Sequence, residues 1–383
     1  MELANTTKKL VIFLTPLFAA ATFAQNIIFE VKKTISSRVY PKIFLLYLAI
    51  TAAYATAAPV DYRVSFDGVL DNREYHSPLT DQTFFLARGE LELGLVLDEY
   101  HKIRGGVAYT QEFGALETVD NLHLLLYYHY DNGKNAQFRF GAFPRVGALG
   151  LPVWFFGDEA AYNRPIIHGA AVEFGALDGV TLGAWVDWTG RQTAVVNEAF
   201  LFGYNVELNH GMAFFRHDFI MYHLAHTRPA RPNSAVRDNG GVSVEAGFLL
   251  DGNAYFDALL LSAGGIISLD RDRGGRDWYT GIEYLNIAPW HTPIGGFLNG
   301  EISKSLFVVK GFFYKGEPQR LYWADDAFSY SGLESYGWLD LGIRFNKKDY
   351  IKTELSQKFH LYNNKIGFSQ HFLLRVELRK GKV

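Results

Sequence analysis

The chain of 383 residues has no cysteine. That excludes a disulfide framework and any thiolate metal site. No His, Asp or Glu spacing matches a metal motif, and no glycine-rich phosphate loop is present, so no cofactor is expected. Basic runs that would hold nucleic acid are missing too, and the formal charge is −3. Beyond Pro59 no apolar run reaches the roughly 20 residues of a membrane helix. No stretch there keeps a helical period either. What the chain has instead is aromatic residues and glycine, with 31 Phe, 22 Tyr and 37 Gly. Mean hydropathy is −0.02, far too low for a helical membrane protein.

The N-terminus reads as an export leader. Lys8-Lys9 precede the apolar stretch Leu10–Ala24. A second candidate places Lys32, Lys33, Arg38 and Lys42 before Ile43–Ala53, followed by Ala55-Thr56-Ala57 as an A-x-A cleavage site. Two signals in tandem are odd. The expectation is that residues 1–57 form the leader, with Val31 as the native start, and that residues 58–383 form the mature domain; a longer leader from Met1 is the alternative.

From residue 58 onward a two-residue period runs almost throughout. Ile366, Phe368, Phe372, Leu374, Val376 and Leu378 alternate with Lys365, Ser369, His371, Arg375, Glu377 and Arg379. Tyr62, Val64 and Phe66 alternate with Arg63, Ser65 and Asp67. About 16 such runs of roughly 9–15 residues can be marked, the length of strands tilted across a membrane. They include runs at 254–269, 275–287 and 303–315; residues 288–302 break the pattern, being far too long for the tight turn due there, so that either a bulged strand is hidden in them or the count is off by two. Even-numbered runs are followed by tight turns such as Asp131-Asn132-Gly133-Lys134 and Asp251-Gly252-Asn253; odd-numbered runs are mostly followed by long loops. Two-residue hairpins favour Asn-Gly and Asp-Gly because they need positive φ. The predicted fold class is all-β, a transmembrane antiparallel β-barrel of about 16 strands.

In hydrocarbon every backbone N–H and C=O must find a partner within the protein, and without helices only a closed barrel provides that. The apolar register then faces lipid, and Tyr127, Tyr128, Tyr130, Trp185, Trp188, Trp278 and Tyr279 suit the interfacial belts. The polar register is expected to line the lumen: Arg88, Glu90, Arg104, Arg139, Asp187, Arg216, Asp218, Arg344, Lys352, Glu354 and Arg375. A dry core holding so many charges would cost several kcal/mol per unpaired ion, which a water-filled lumen removes.

In this pattern of leader, alternating strands and alternating connection lengths, residues 61–383 resemble Gram-negative outer-membrane β-barrels of the porin type. The final strand lacks the terminal aromatic usual in that group. The resemblance implies a passive channel for small hydrophilic solutes, seated in the outer-membrane bilayer and often trimeric. It also implies that the third long loop, residues 145–167, folds inward and narrows the pore. Asp158, Glu159 and Arg164 are then the expected constriction charges, with Leu151, Val153, Trp154, Phe155 and Phe156 seating the loop on the wall. Two other readings stay open: a non-conducting barrel with a structural or adhesive role, and a barrel enzyme. His217 and His223 fall in the apolar register without a serine signature, and no enzymatic activity is expected.

Overall fold

The computed structural model describes residues 60–115, 122–148, 150, 152, 154–228, 236–252, 255–276, 283–322, 331–347 and 350–380; within these, the side chains of 158–160, 251, 275–276, 283–287, 347 and 380 are not described. The expected leader lies outside them, as do Trp278, Tyr279, Leu151 and Val153.

The strands are β1 (Val60–Glu74), β2 (Gln82–Val96), β3 (His101–Glu112), β4 (Leu122–Asp131), β5 (Ala136–Pro144), β6 (Ile166–Leu177), β7 (Val180–Gly190), β8 (Ala199–His210) and β9 (Ala213–Leu224). They continue as β10 (Val236–Asp251), β11 (Ala258–Arg276), β12 (Glu283–Ile287), β13 (Ile294–Lys304), β14 (Phe307–Gly316), β15 (Ser335–Lys347), β16 (Ile351–Tyr362) and β17 (Lys365–Lys380). Each wall strand pairs antiparallel with its neighbours, and β17 returns to β1 in register from Tyr62↔Lys380 to Glu74↔Phe368. The sheet is therefore a closed barrel. β12 is a short strand on the end of β11, which itself continues past it to pair with β13 from Ala258↔Ser303 to Ile267↔Ile294. Sixteen strands make the wall.

The expected count holds, but two assignments move. The run expected at 275–287 is not a wall strand; it covers the end of β11 and β12. Of the two alternatives for 288–302 the hidden strand is the one found, as β13, and the strand expected at 303–315 begins only at Phe307. Glycine hid β13: Gly295, Gly296 and Gly300 dilute its alternation. With β13 in place, the anomalous long turn disappears. Ser305 and Leu306 close a tight hairpin instead, with Ser305 at φ 55°. One exception stays on the long-loop rim, where Asn363 (φ 48°) and Asn364 (φ 57°) join β16 to β17 directly.

The faces are inverted relative to a soluble protein. On β1, Phe66 is 43% exposed while Asp67 is 8% exposed. Val64, Leu91, Phe140, Phe174, Leu298, Leu339 and Leu378 are exposed in the same register around the ring. Hydrocarbon solvates that face, and the charged register turns inward. Two belt assignments are corrected here. Tyr127 and Trp185 are buried on the lumen side, Tyr127 donating to Glu92 Oε2 at 2.6 Å and Trp185 packing on Phe156. Trp188, three residues on, does face outward.

Candidate pore constriction

The connection between β5 and β6 runs from Arg145 to Pro165; Ile166 and Ile167, expected in the loop, begin β6. Its neck is tied to the nearest wall. Arg145 Nη2 donates to Asp187 on β7, and its Nε donates to the Arg164 carbonyl at 2.7 Å. The two ends of the loop are thus held by one guanidinium, which has the planar fork such a clamp needs.

From that neck the chain leaves the wall and crosses the lumen. Arg216 on β9 donates to the Gly150 carbonyl. Phe155 N–H and Phe156 N–H both donate to the Pro152 carbonyl, closing a turn that presents Trp154 and Phe155 to the far side. Trp154 Nε1–H donates to Ser243 Oγ at 3.0 Å, half-way along β10. The indole lies 4.3 Å from the Phe297 ring of β13, and Phe312 of β14 stacks on Phe297 at 5.8 Å. These strands are nearly opposite β5 in the ring. Phe155 is fully buried against Gly241, where an added Cβ would stand 2.6 Å from its ring. The glycine leaves room for that ring.

The return leg touches a third sector. It contains the short helix α1 (Asp158–Asn163). Arg88 on β2 donates to the Tyr162 carbonyl at 2.9 Å, and the Tyr162 hydroxyl lies 3.0 Å from His371 Nε2 on β17. One loop therefore bridges β5–β7, β9–β14 and β17–β2. The seating role expected for Trp154, Phe155 and Phe156 matches their contacts. The side chains of Asp158 and Glu159 lie outside those described. Arg164 is half-buried at the neck, its carbonyl held by Arg145.

Two cavities flank the crossing. One of about 320 Å³ is lined by Arg139 and Glu173 together with Gly147 and Gly150 of the loop. The other, about 300 Å³, lies under Trp154 among Glu207, Arg216, Glu245 and Asn299. A second long loop also enters the mouth: Gln319 and Leu321 are buried, and the Arg237 guanidinium lies 4.4 Å from the Tyr322 ring. Sequence reasoning expects a long loop at 316–333 but not its turn into the mouth.

Compared with known proteins, residues 55–280 match the family model for lipid A 3'-O-deacylase-type proteins. The chain belongs to that family. Comparison with curated proteins gives no match. Among solved structures, this deacylase-type chain is similar to OmpF of Salmonella typhi in complex with daunomycin, at 10% identity and TM-score 0.51, over 83% of this chain and 97% of that one. It is also similar to a loop L8 deletion mutant of OmpT, an outer membrane protein of Vibrio cholerae, at 10% identity and TM-score 0.50, over 84% and 99% of the two chains. At such identity the likeness is one of fold, and the fold is that of porin-like outer-membrane barrels.

Around the constriction, the wall of the deacylase-type barrel carries charge in ladders. Arg375 forks onto Asp67 at 2.7 and 2.9 Å. Asp61 sits between Lys102 (3.2 Å) and Arg104 (2.7 Å), and Arg63 reaches Glu92 at 2.6 Å. On the other side Glu354 accepts from Lys310 at 2.8 Å and from Arg344 at 3.1 Å. All the residues expected to line the lumen fall on the inward register, Arg88, Glu90, Asp187 and Asp218 among the most enclosed and Lys352 exposed at the short-turn rim. Cross-strand pairing at this density braces the wall.

Proposed function

We propose that the chain is an outer-membrane channel through which small hydrophilic solutes diffuse passively, and that residues 145–165 set its narrowest point. The observation that carries this reading is the crossing itself. A loop anchored on three sectors of a polar-walled barrel leaves only side passages, of which the Arg139/Glu173 and Glu207/Glu245 cavities are parts. Beyond Arg145, which is spent on the neck, the loop's charges are Asp158, Glu159 and Arg164, and they supply a transverse field that screens solutes. The inward charged residues, Arg88 to Arg375, form the ion-paired lining. Export through a cleaved leader ending near Ala57 and assembly as a homotrimer belong to the same proposal.

Planar-bilayer recording tests it. Stepwise conductance from the folded barrel is expected, rising on deletion of residues 147–163. A folded, silent barrel would refute the channel, and unchanged conductance after the deletion would refute the constriction.

Family membership favours a second reading, cleavage of an acyl ester of lipid A. Mass spectrometry of lipid A from cells with and without the protein decides it: loss of one acyl chain only when the protein is present supports hydrolysis, and identical spectra exclude it.

A further inference from the structure

One row of the outer wall is not apolar. At the long-loop end of β7 to β11, Trp188, Phe200, His223, Asp238 and Arg271 are direct cross-strand partners on the lipid-facing register. The row begins as an aromatic belt. Trp188 stacks on Phe200 with centroids 5.0 Å apart, and Phe200 meets the His223 ring at 5.0 Å. It then turns ionic. His223 Nδ1 lies 2.8 Å from Asp238 Oδ1, Arg271 Nη2 donates to Asp238 Oδ2 at 2.8 Å, and Arg273 Nη2 donates to Oδ1 at 3.2 Å. The Arg271 guanidinium is also 4.1 Å from the face of Trp290, an outward-facing ring.

Two features of this row point outward to a ligand. First, the charges do not balance: the Arg271 and Arg273 guanidiniums share the one Asp238 carboxylate. Second, donors are left over. Arg271 Nε is buried without a hydrogen-bond partner, and Arg273 Nε, 3.1 Å from Asp238 Oδ2, lacks hydrogen-bond alignment. The Arg273 side chain stays 37% exposed. A cation in excess of its counter-charge is costly on the bilayer side of a barrel and marks a function when it persists. Interfacial aromatics put the row at head-group depth. Below it the wall is Met221, Gly240 and Leu269, then Phe219, Val242 and Ile267, a surface for acyl chains.

We propose that Arg271 and Arg273, oriented by Asp238 and Trp290, form a clamp for the phosphate group of a lipid in the adjoining leaflet. Paired guanidiniums match phosphate oxygens in geometry and charge. The apolar wall beneath favours a lipid-borne phosphate over a free one. Neither solute flux nor ester cleavage enters into it, so its failure leaves both functional readings standing.

The test is native mass spectrometry of the full barrel released from nanodiscs of phosphatidylcholine with a minor fraction of phosphatidic acid. Wild type is expected to retain phosphatidic acid over phosphatidylcholine by tenfold or more. The Arg271→Gln/Arg273→Gln variant loses that preference, while Arg271→Lys/Arg273→Lys keeps part of it. Heat-modifiable migration checks that each variant is folded; should the double variant not fold, Arg273→Gln with Trp290→Ala takes its place. Equal retention of the two lipids by wild type, or an unchanged preference in the glutamine variant, overturns the clamp. Displacement of phosphatidic acid by millimolar inorganic phosphate overturns the assignment to lipid.

Discussion

Trp154 carries the crossing loop's hold on the far wall. Its ring packs tilted on Phe297, its indole N–H donates to Ser243, and it lines the cavity bounded by Glu207 and Glu245. Aromatic pairs contribute about 0.5–1.5 kcal/mol beyond area burial, and removing a buried Trp costs about 3–5 kcal/mol in well-packed sites. Trp154→Ala is therefore expected to raise single-channel conductance while the barrel stays heat-modifiable, because the wall does not depend on it. A second residue prediction concerns Asp98 in the β2–β3 turn. Tyr100 N–H, then His101 N–H, donate to its Oδ1 at 2.9 Å each and hold the carboxyl below its ordinary range. Because the folded-state pKa is depressed, the stabilisation is present above the unfolded value of about 3.9 and is lost as pH falls through the folded value. Asp98→Asn should lower the urea midpoint at pH 7, and the gap to wild type should fade below about pH 4.

Among the elements, the β5–β6 connection and the wall that receives it are matched. Gly241 makes room for Phe155 because any Cβ there would meet the ring at 2.6 Å. Gly241→Val should expel Phe155 and loosen the crossing; the expected readout is greater conductance noise and faster proteolysis between residues 147 and 163, with the closed barrel retained. The β16–β17 hairpin makes a separate prediction. Asn363 and Asn364 both hold positive φ, which Asn tolerates and β-branched residues do not. Asn364→Val should destabilise the barrel by about 1–2 kcal/mol, measured by urea titration in detergent.

For the whole molecule, closure matters most. The β1–β17 seam spans Tyr62↔Lys380 to Glu74↔Phe368 and is braced by the Asp67–Arg375 fork. A chain ending before residue 365 would leave β1 and β16 as unpaired edges in hydrocarbon. Such a truncation should lose heat-modifiable migration altogether, whereas deletion of residues 147–163 should keep it. The contrast separates what builds the barrel from what fills it.

The barrel could be read from residues alone because two local rules suffice for it. Alternation such as Val64-Ser65-Phe66-Asp67 fixes which face meets lipid, and the absence of helical runs leaves closure as the way to pair the backbone. Turn residues such as Asp131-Asn132-Gly133 placed the short rim. Where alternation is diluted by glycine, as in β13, the strand was lost and an apparent one at 275–287 took its place. Tyr127 and Trp185 were set in the belts by composition, but their side is decided by parity within the strand. Only the tertiary structure decided that the 145–165 loop crosses to Ser243 and Phe297, because a loop has no period and its partners lie on strands 89 residues or more along the chain. It alone also brought His223, Asp238, Arg271 and Trp290 into one outward patch, since cross-strand register is set by the closure of the whole ring.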